Sequence, residues 1–333
     1  MQFGTFRKTA AAWLSVAVAL ITLTTPGGSA ELIPFKIGIS APVVTIFPVW
    51  MAEVGGFYEK EGLKVEVVNM EGGTRGLQVL LSGEIQAMHV GLAPVVLANK
   101  QGADLRLVTS TCNTIPITMF AKPGLGMADL KGKTFGISTF GSETDIAISI
   151  LLNKIGLTRQ DVTVSQIGGS SQRFGALIAG RIDVAPLIEP GITLAKERGF
   201  NPLIDLAAAG TPWIFDSVVV TKSYLAQSRD TLTRFVRAYV AGAYLALADA
   251  TKAKQLIAQK YKTNDAKVID ATYADFKRLM PRDAAPSVNG AQNVLDQLAV
   301  IGTVIGSKNI NDYLDLSIID RLKQDGYFAG LEK

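Results

Sequence analysis

A short apolar run occurs twice in this chain, about a hundred residues apart. The first copy reads FKIGIS at residues 35–40, and the second reads TFGIS at residues 134–138. β-Branched and aromatic residues of this kind fit the pleated surface of a sheet. One copy alone would indicate a single strand, whereas two copies indicate that a larger unit is repeated.

The residues after each run match as well. Each run is followed by an amphipathic helical stretch closing on Gly-Leu, an alternating valine run, a double glycine with a hydroxyl residue, and a leucine-rich stretch with a glycine. The matching segments are 62–63 and 156–157, 65–67 and 162–164, 72–74 and 168–170, and 80–86 and 177–183. This order predicts two βαβαβ units, and therefore an α/β fold of two lobes, each a mostly parallel sheet flanked by helices.

Length and composition also favour two lobes. The chain has 333 residues, 48% of them hydrophobic and 19% charged. This length exceeds what one hydrophobic core usually organises. Polar segments at 109–116 and 211–216 indicate two connectors. We therefore expect residues 31–114 and the helical residues 217–333 to form lobe one, and residues 115–216 to form lobe two. Helical spacing predicts a core-facing stripe of Leu232, Phe235, Val236, Tyr239, Val240 and Ala243.

The first thirty residues have the pattern of an export signal. Arg7 and Lys8 precede an apolar run at 10–23, and small residues end at Ala30. The run is shorter than the roughly 20 residues that a membrane-spanning helix needs, which disfavours an N-terminal anchor. We therefore predict a cleaved signal at 1–30 and a periplasmic protein. Cys112 is far from the cleavage site, so no lipid anchor is expected.

The chain has too few histidines and cysteines for most metal sites and for most catalytic sites that use a nucleophile. His89 is the only histidine and Cys112 the only cysteine. The sequence therefore predicts no metal, no cofactor and no enzymatic activity. The chain has 33 basic and 29 acidic residues without a basic block, which argues against nucleic acid as a partner. His89 lies near the end of a predicted strand, where it could contact a ligand or serve packing and hydrogen bonding.

The loops at the carboxyl ends of parallel strands line a ligand crevice in α/β folds. Hydroxyl residues and glycines at these loops can start helices, whose backbone N–H groups hold an anion without a charged side chain. Aromatic residues offer flat walls, and acidic residues can accept from an amine or a ring N–H. The candidate ligand-binding residues are Ser40, Pro42, Phe47, Gly73, Thr74, Gly91, Leu92, Asn113, Ser138, Phe140, Ser142, Ser170, Glu189, Trp213 and Asp216.

Three alternatives to these roles remain open from the sequence. Each hydroxyl residue at a strand-to-helix turn can serve as a helix cap and touch no ligand. Trp213 can pack in a core rather than form a wall. Arg75 and Arg173, which follow the double glycines, can add to anion binding or lie on solvated helix faces.

Three segments resemble a known family. Residues 55–65, 80–85 and 179–190 are similar to the periplasmic substrate-binding proteins of nitrate/sulfonate/taurine-type ABC importers, which share a superfamily with the thiamine pyrimidine-precursor synthases. The resemblance implies a two-lobed type II binding-protein fold that closes around a small solute. It also implies docking on a membrane permease with ATPase subunits. Gln86 and Met88 depart from the family, which often has Asp and Gly there.

The expected function is capture of a small organic anion or zwitterion, of the sulfonate, taurine or aromatic carboxylate class, by a monomer that delivers it to an ABC importer. Bare nitrate is disfavoured because the predicted crevice offers many apolar side chains and few fixed donors. Two alternatives stay open at this point. One is binding or synthesis of a thiamine-pyrimidine precursor, and the other is a periplasmic sensor subunit that presents its ligand to a membrane receptor.

Overall fold

The structure is a computed structural model that describes residue 1, residues 31–208 and residues 210–332. Apart from residue 1, the predicted export signal lies outside the described residues, so its cleavage stays a prediction. In the part of the chain that is described, no helix is long and apolar enough to cross a membrane.

The strands come in two groups of five along the chain. The first group is β1 (Ile33–Ile39), β2 (Leu63–Asn69), β3 (Ala87–Val90), β4 (Leu105–Thr114) and, far along the chain, β10 (Pro212–Thr221). The second group is β5 (Thr118–Ala121), β6 (Thr134–Ile137), β7 (Thr163–Gln166), β8 (Val184–Leu187) and β9 (Pro202–Asp205).

Helices connect and cover these strands. Between the strands lie α1 (Phe47–Val54), α2 (Phe57–Lys60), α3 (Gly73–Ser82), α4 (Leu92–Lys100), α5 (Glu143–Lys154), α6 (Ser170–Ile178) and α7 (Gly191–Glu197). After β10 come α8 (Lys222–Gln227), α9 (Arg229–Ala248), α10 (Ala250–Tyr261), α11 (Ala266–Leu279), α12 (Val288–Val300), α13 (Ser317–Gln324) and α14 (Tyr327–Leu331).

The two sheets have the same topology. The first sheet has the order β2-β1-β3-β10-β4 and the second has the order β7-β6-β8-β5-β9. In each sheet the first three strands pair in parallel and the other two pairings are antiparallel. The predicted α/β fold and both βαβαβ units are therefore confirmed. The sheets are mixed rather than mostly parallel, because an antiparallel strand lies beside the third strand of each unit: β10 beside β3, and β5 beside β8.

The glycines of the two repeated runs, Gly38 and Gly136, are needed for the same reason. A Cβ atom on Gly38 would lie 2.8 Å from Cδ1 of Ile85, and a Cβ atom on Gly136 would lie 2.5 Å from Cδ1 of Ile182. Both isoleucines sit just before the third strand of their unit. The first strand of each unit thus leaves room for an isoleucine packed against its face, and this contact recurs along with the sequence.

The segment predicted as the first polar connector is largely a strand. Residues 109–114 belong to β4, which pairs antiparallel with β10. Hydroxyls there bond to backbone groups: Ser110 Oγ donates to the carbonyl of Asp216 at 2.9 Å, and Thr109 Oγ1 donates to the carbonyl of Ala284 at 2.6 Å. Hydroxyl residues can therefore be fully buried in this strand. The predicted lobe boundaries stay a prediction.

The helical C-terminal part packs on the first sheet. The predicted stripe on α9 is buried along its whole length, and the ring of Phe235 stacks on Phe35 of β1 with 4.4 Å between centroids. Gly242 on the same helix lies against the backbone of α1, where a Cβ atom would approach Ala52 N and Pro48 O to 2.5 Å. The close crossing of α9 and α1 depends on this glycine.

Gly242→Ala is expected to lower the free energy of unfolding by about 1–3 kcal/mol, because the added methyl group meets backbone atoms that cannot turn aside. Gly175→Ala on α6 is the matched control, since nothing lies within 4 Å of its Cβ position. That control should gain roughly 0.5–1 kcal/mol from helix propensity. Urea unfolding of both variants checks the prediction, and equal stabilities would contradict it.

Candidate functional site

A small cavity of about 50 Å³, partly open to solvent, lies where loops of the two sheets meet. The first sheet and its loops contribute Ser40, Ala41, Val43, Gly73, Val90, Gly91, Phe215 and Asp216. The second contributes Ser138, Ser142, Glu143, Thr144, Ser170, Arg173 and Ile188. Most of these residues lie at the carboxyl ends of the parallel strands or at the helix starts that follow, as the repeat predicts.

Seven of the predicted binding residues line this cavity: Ser40, Gly73, Gly91, Ser138, Ser142, Ser170 and Asp216. The structure brings these seven together from five loops and β10. Their contact with a ligand stays a prediction, but their convergence is a property of the fold.

Hydroxyl groups form a connected cluster on one wall. Ser142 Oγ lies 2.9 Å from Ser138 Oγ and 2.9 Å from Thr144 Oγ1, and it caps α5 by accepting from the Asp145 N–H at 3.5 Å. On the facing wall, Ser40 Oγ donates to the carbonyl of His89 at 3.0 Å. Capping and cavity lining therefore coincide at Ser142.

Four predicted residues lie away from the cavity because their side chains take another direction. Phe47 packs edge-on against Phe276, with ring centroids 5.3 Å apart, and Leu92 is fully buried in the core. Pro42 faces a separate groove beside β1 and β2. Asn113 accepts from Ser287 N–H at 3.1 Å and is occupied by backbone and hydroxyl partners.

The other four also have different positions. Thr74 Oγ1 donates to the carbonyl of Phe140 at 2.9 Å, and both residues line a groove beside α3 and α4. Phe140 is 55% exposed there and forms no cavity wall. Glu189 accepts from Thr193 Oγ1 at 2.9 Å and lines a different surface pocket. Trp213 is buried behind the cavity, where it contacts a residue that lines it.

That residue is Glu143, the first residue of α5. Its Oε2 accepts from Trp213 Nε1 at 2.8 Å, and its Oε1 accepts from the backbone N–H of Ala93 at 3.0 Å. The side chain thus connects a helix of the second sheet to β10 and α4 of the first. Gly91 permits the approach, because a Cβ atom there would collide with the carboxyl group and with the carbonyl of Phe215.

The charge state of Glu143 is set mainly by burial. Only 8% of the residue is exposed, and desolvation raises the pKa of its carboxyl group to about 8. The negative charge of Asp216 raises the pKa further, while the hydrogen bonds from Trp213 and Ala93 lower it. At neutral pH the carboxyl group in this structure is largely protonated.

Arg173 is the cationic residue of the cavity. It is 2% exposed, its Nε donates to the carbonyl of Pro186 at 2.9 Å, and its Nη1 donates to the carbonyl of Gly168. Burial lowers the pKa of its guanidinium group to about 9. The alternative of a solvated helix face is therefore wrong for Arg173.

Asp216 lines the cavity and connects it to a buried polar network behind it. Its Oδ2 accepts from Thr45 Oγ1, and its Oδ1 lies 3.3 Å from Nδ1 of His89. Nε2 of His89 lies 3.0 Å from the hydroxyl of Tyr239. His89 is fully buried and does not line the cavity, so the structure favours packing and hydrogen bonding over direct ligand contact.

Sequence reasoning did not select Glu143, and it left Arg173 undecided. A signal existed for Arg173, because Ser170, Arg173, Phe174 and Leu177 share one helical stripe and all four are buried. No such signal existed for Glu143, since an acidic residue in the first turn of a helix is common for its dipole alone. The cavity-lining apolar residues Ala41, Val43, Val90, Ile188 and Phe215 carried no polar motif either.

Metal binding finds no support in the described part of the chain. Within residues 31–208 and 210–332, no group of three or more His, Cys, Asp or Glu side chains could hold a metal ion.

Sequence comparison finds relatives of this chain among known proteins. A model of the NMT1/THI5-like family matches residues 44–253. The riboflavin-binding protein RibY of Chloroflexus aurantiacus is 29% identical over 227 residues, which cover 66% of this chain and 63% of RibY. The match thus spans less than two thirds of that relative.

Solved structures share the fold. A protein from Bordetella bronchiseptica RB50 superimposes with a TM-score of 0.80 at 21% identity, covering 89% of this chain and 98% of that protein. The alkanesulfonate-binding protein SsuA from Xanthomonas axonopodis pv. citri, solved with bound MOPS, gives a TM-score of 0.70 at 20% identity, covering 86% of this chain and all of SsuA. The predicted periplasmic binding-protein fold is confirmed.

The raised pKa of Glu143 makes a prediction about stability and pH. Because the folded-state pKa lies above the unfolded value, the stability that it contributes is present at low pH and is lost as the pH rises through about 8. The difference in unfolding free energy between the wild type and Glu143→Gln should therefore fall between pH 5 and 8, by at most about 1.4 kcal/mol per pH unit. Urea unfolding at several pH values measures it, and a constant difference would contradict the assignment.

Proposed function

Because the chain belongs to the NMT1/THI5-like family, we propose that it is the substrate-binding protein of an ABC importer and captures a small organic anion or zwitterion in the cavity between its two sheets. The role is binding and delivery rather than catalysis. The partners are a membrane permease and its ATPase subunits, and the protein works as a monomer in the periplasm.

One observation supports an anionic group on the ligand. None of the ion pairs formed within residues 31–208 and 210–332 includes Arg173, although this side chain is buried and lines the cavity. A buried charge without a counter-charge costs several kcal/mol. A sulfonate or carboxylate of the ligand supplies that counter-charge, and the guanidinium fork can bind either group with two parallel hydrogen bonds.

The remaining walls favour an organic solute over a bare inorganic anion. Phe215, Ile188, Val43 and Val90 supply apolar surface, while the hydroxyls of Ser138 and Ser170 supply adaptable donors and acceptors. The sulfonate ligand named for SsuA fits this chemistry. A pyrimidine precursor without an acidic group would leave the Arg173 charge unpaired, which makes that alternative weaker.

Capture follows from the origin of the walls in two separate sheets. Asp216 lies in β10 and Ser40 follows β1, both of the first sheet, whereas Ser138 follows β6 of the second sheet and Arg173 lies on α6 beside it. A ligand that contacts both sides is bound fully only when the two sides are close, so binding shifts the population toward the closed form. A permease that recognises the closed form then receives loaded protein.

A thermal-shift screen tests the proposal. The panel contains sulfonates, taurine, aromatic carboxylates, nitrate, pyrimidines and riboflavin. A ligand that binds only the folded state raises the melting temperature, and 100-fold saturation corresponds to about 2.7 kcal/mol. Stabilisation by sulfonates or carboxylates supports the proposal. Stabilisation by riboflavin or a pyrimidine alone would overturn the assigned ligand class.

Arg173→Met should weaken binding of the best anionic hit about 10- to 100-fold, because a charged hydrogen bond in a buried site is lost. Arg181→Met is the matched control, since Arg181 follows α6 in the same sheet and is exposed. Isothermal titration calorimetry measures both variants. Equal affinities would remove Arg173 from the site.

A further inference from the structure

Two buried side chains of opposite charge type line the same cavity without pairing with each other. Arg173 enters from α6, and Glu143 enters from the start of α5. No ion pair within the described residues includes either of them. The cavity therefore offers one cationic and one acidic position that are separated from each other.

The protein partners of these two groups are neutral. Arg173 donates to the backbone carbonyls of Pro186 and Gly168, and Glu143 accepts from Ala93 N–H and from Trp213 Nε1. These contacts fix the position of each side chain. They leave the charge of Arg173 uncompensated and leave the Glu143 carboxyl group, largely protonated at neutral pH, without a cationic partner. Ion-pairing capacity directed at the cavity is thus present at both positions.

Asp216 adds a second acidic residue to the part of the cavity that contains Glu143, so this part disfavours an anionic group. It lines the cavity, and its negative charge is close enough to Glu143 to raise the pKa of that carboxyl group. Asp216 accepts from Thr45 and has the His89 ring 3.3 Å away, whereas Glu143 has only neutral donors, so Glu143 is the acidic group without an ion-pair partner in the protein. A ligand with only negative groups would meet one favourable position and one unfavourable one.

Resting on the proposed binding function, we propose that the ligand is a zwitterion whose acidic group binds Arg173 and whose protonated amine binds Glu143. One molecule then compensates the charge of Arg173 and the negative charge that Glu143 acquires on binding. Binding removes the proton of the Glu143 carboxyl group, which leaves as a solvated proton, while the amine keeps its own. The groups that face Glu143 during this step are Asp216 and Trp213 of β10 and the N-terminus of α4, and Arg173 lines the same cavity.

Matched pairs of probes test this inference on the wild-type protein. Each pair has an amine-bearing member and its deaminated analogue: 2-aminoethanesulfonate and ethanesulfonate, 3-aminopropanesulfonate and propanesulfonate, 4-aminobutanoate and butanoate, and 4-(aminomethyl)benzoate and 4-methylbenzoate. Calorimetry at pH 7 should find a pair whose amine-bearing member binds at least about tenfold tighter. Repeating that titration in buffers of different ionisation enthalpy should show proton release for the amine-bearing member only.

The outcomes separate this inference from the proposed function. Binding of deaminated members as tight as their partners overturns the zwitterion and leaves anion capture standing. Failure of all eight probes to bind overturns both. A wild-type preference for the amine that persists in Glu143→Gln overturns the role of Glu143, whereas its loss there, with retention in the exposed-site control Glu84→Gln, supports that role. If Glu143→Gln does not fold, proton release by the wild type decides the same point.

Discussion

The geometry of the parallel strand is the constraint on which this structure depends. A parallel strand must be followed by a crossover, so in each βαβαβ unit the three strands release their loops at the same edge. Each unit therefore ends in a row of short loops and helix starts. Because β4 and β10 pair along the first sheet while the chain between them forms the second, the two rows meet around one cavity.

Small residues at those loops let the two rows approach closely. Gly91 lies against Glu143 of the other row and the Phe215 carbonyl, and Gly73 leaves room for Val90 and Ser40 of its own row. Larger side chains at these glycines would fill the space that the ligand is proposed to use. Glycine is thus needed at Gly91 for clearance, and not for an unusual backbone angle, since its φ is −80°.

The sequence predicted the loops better than the side chains. Strand periodicity and glycine position are local signals, and they were enough to place Ser40, Gly91 and Ser138 at the cavity. The direction of a side chain at a helix start depends on its position around the helix axis, and consecutive residues of a helix point in quite different directions. Gly73 lines the cavity, whereas Thr74, one position later, faces a different groove. The burial of Glu143 depends on Trp213, 70 residues away, and no local pattern reports such a contact.

Glu143 links the specificity of the cavity to the contact between the two sheets. Its hydrogen bonds to Ala93 and Trp213 join α5 to the first sheet, and the same carboxyl group lines the cavity. Ionisation strengthens hydrogen bonds from neutral donors, because charge-assisted hydrogen bonds are the stronger kind. A ligand that stabilises the ionised form of Glu143 therefore also tightens the contact between the sheets. Ligand recognition and closure would then depend on the protonation of one side chain, and an anion without an amine would lack access to that coupling.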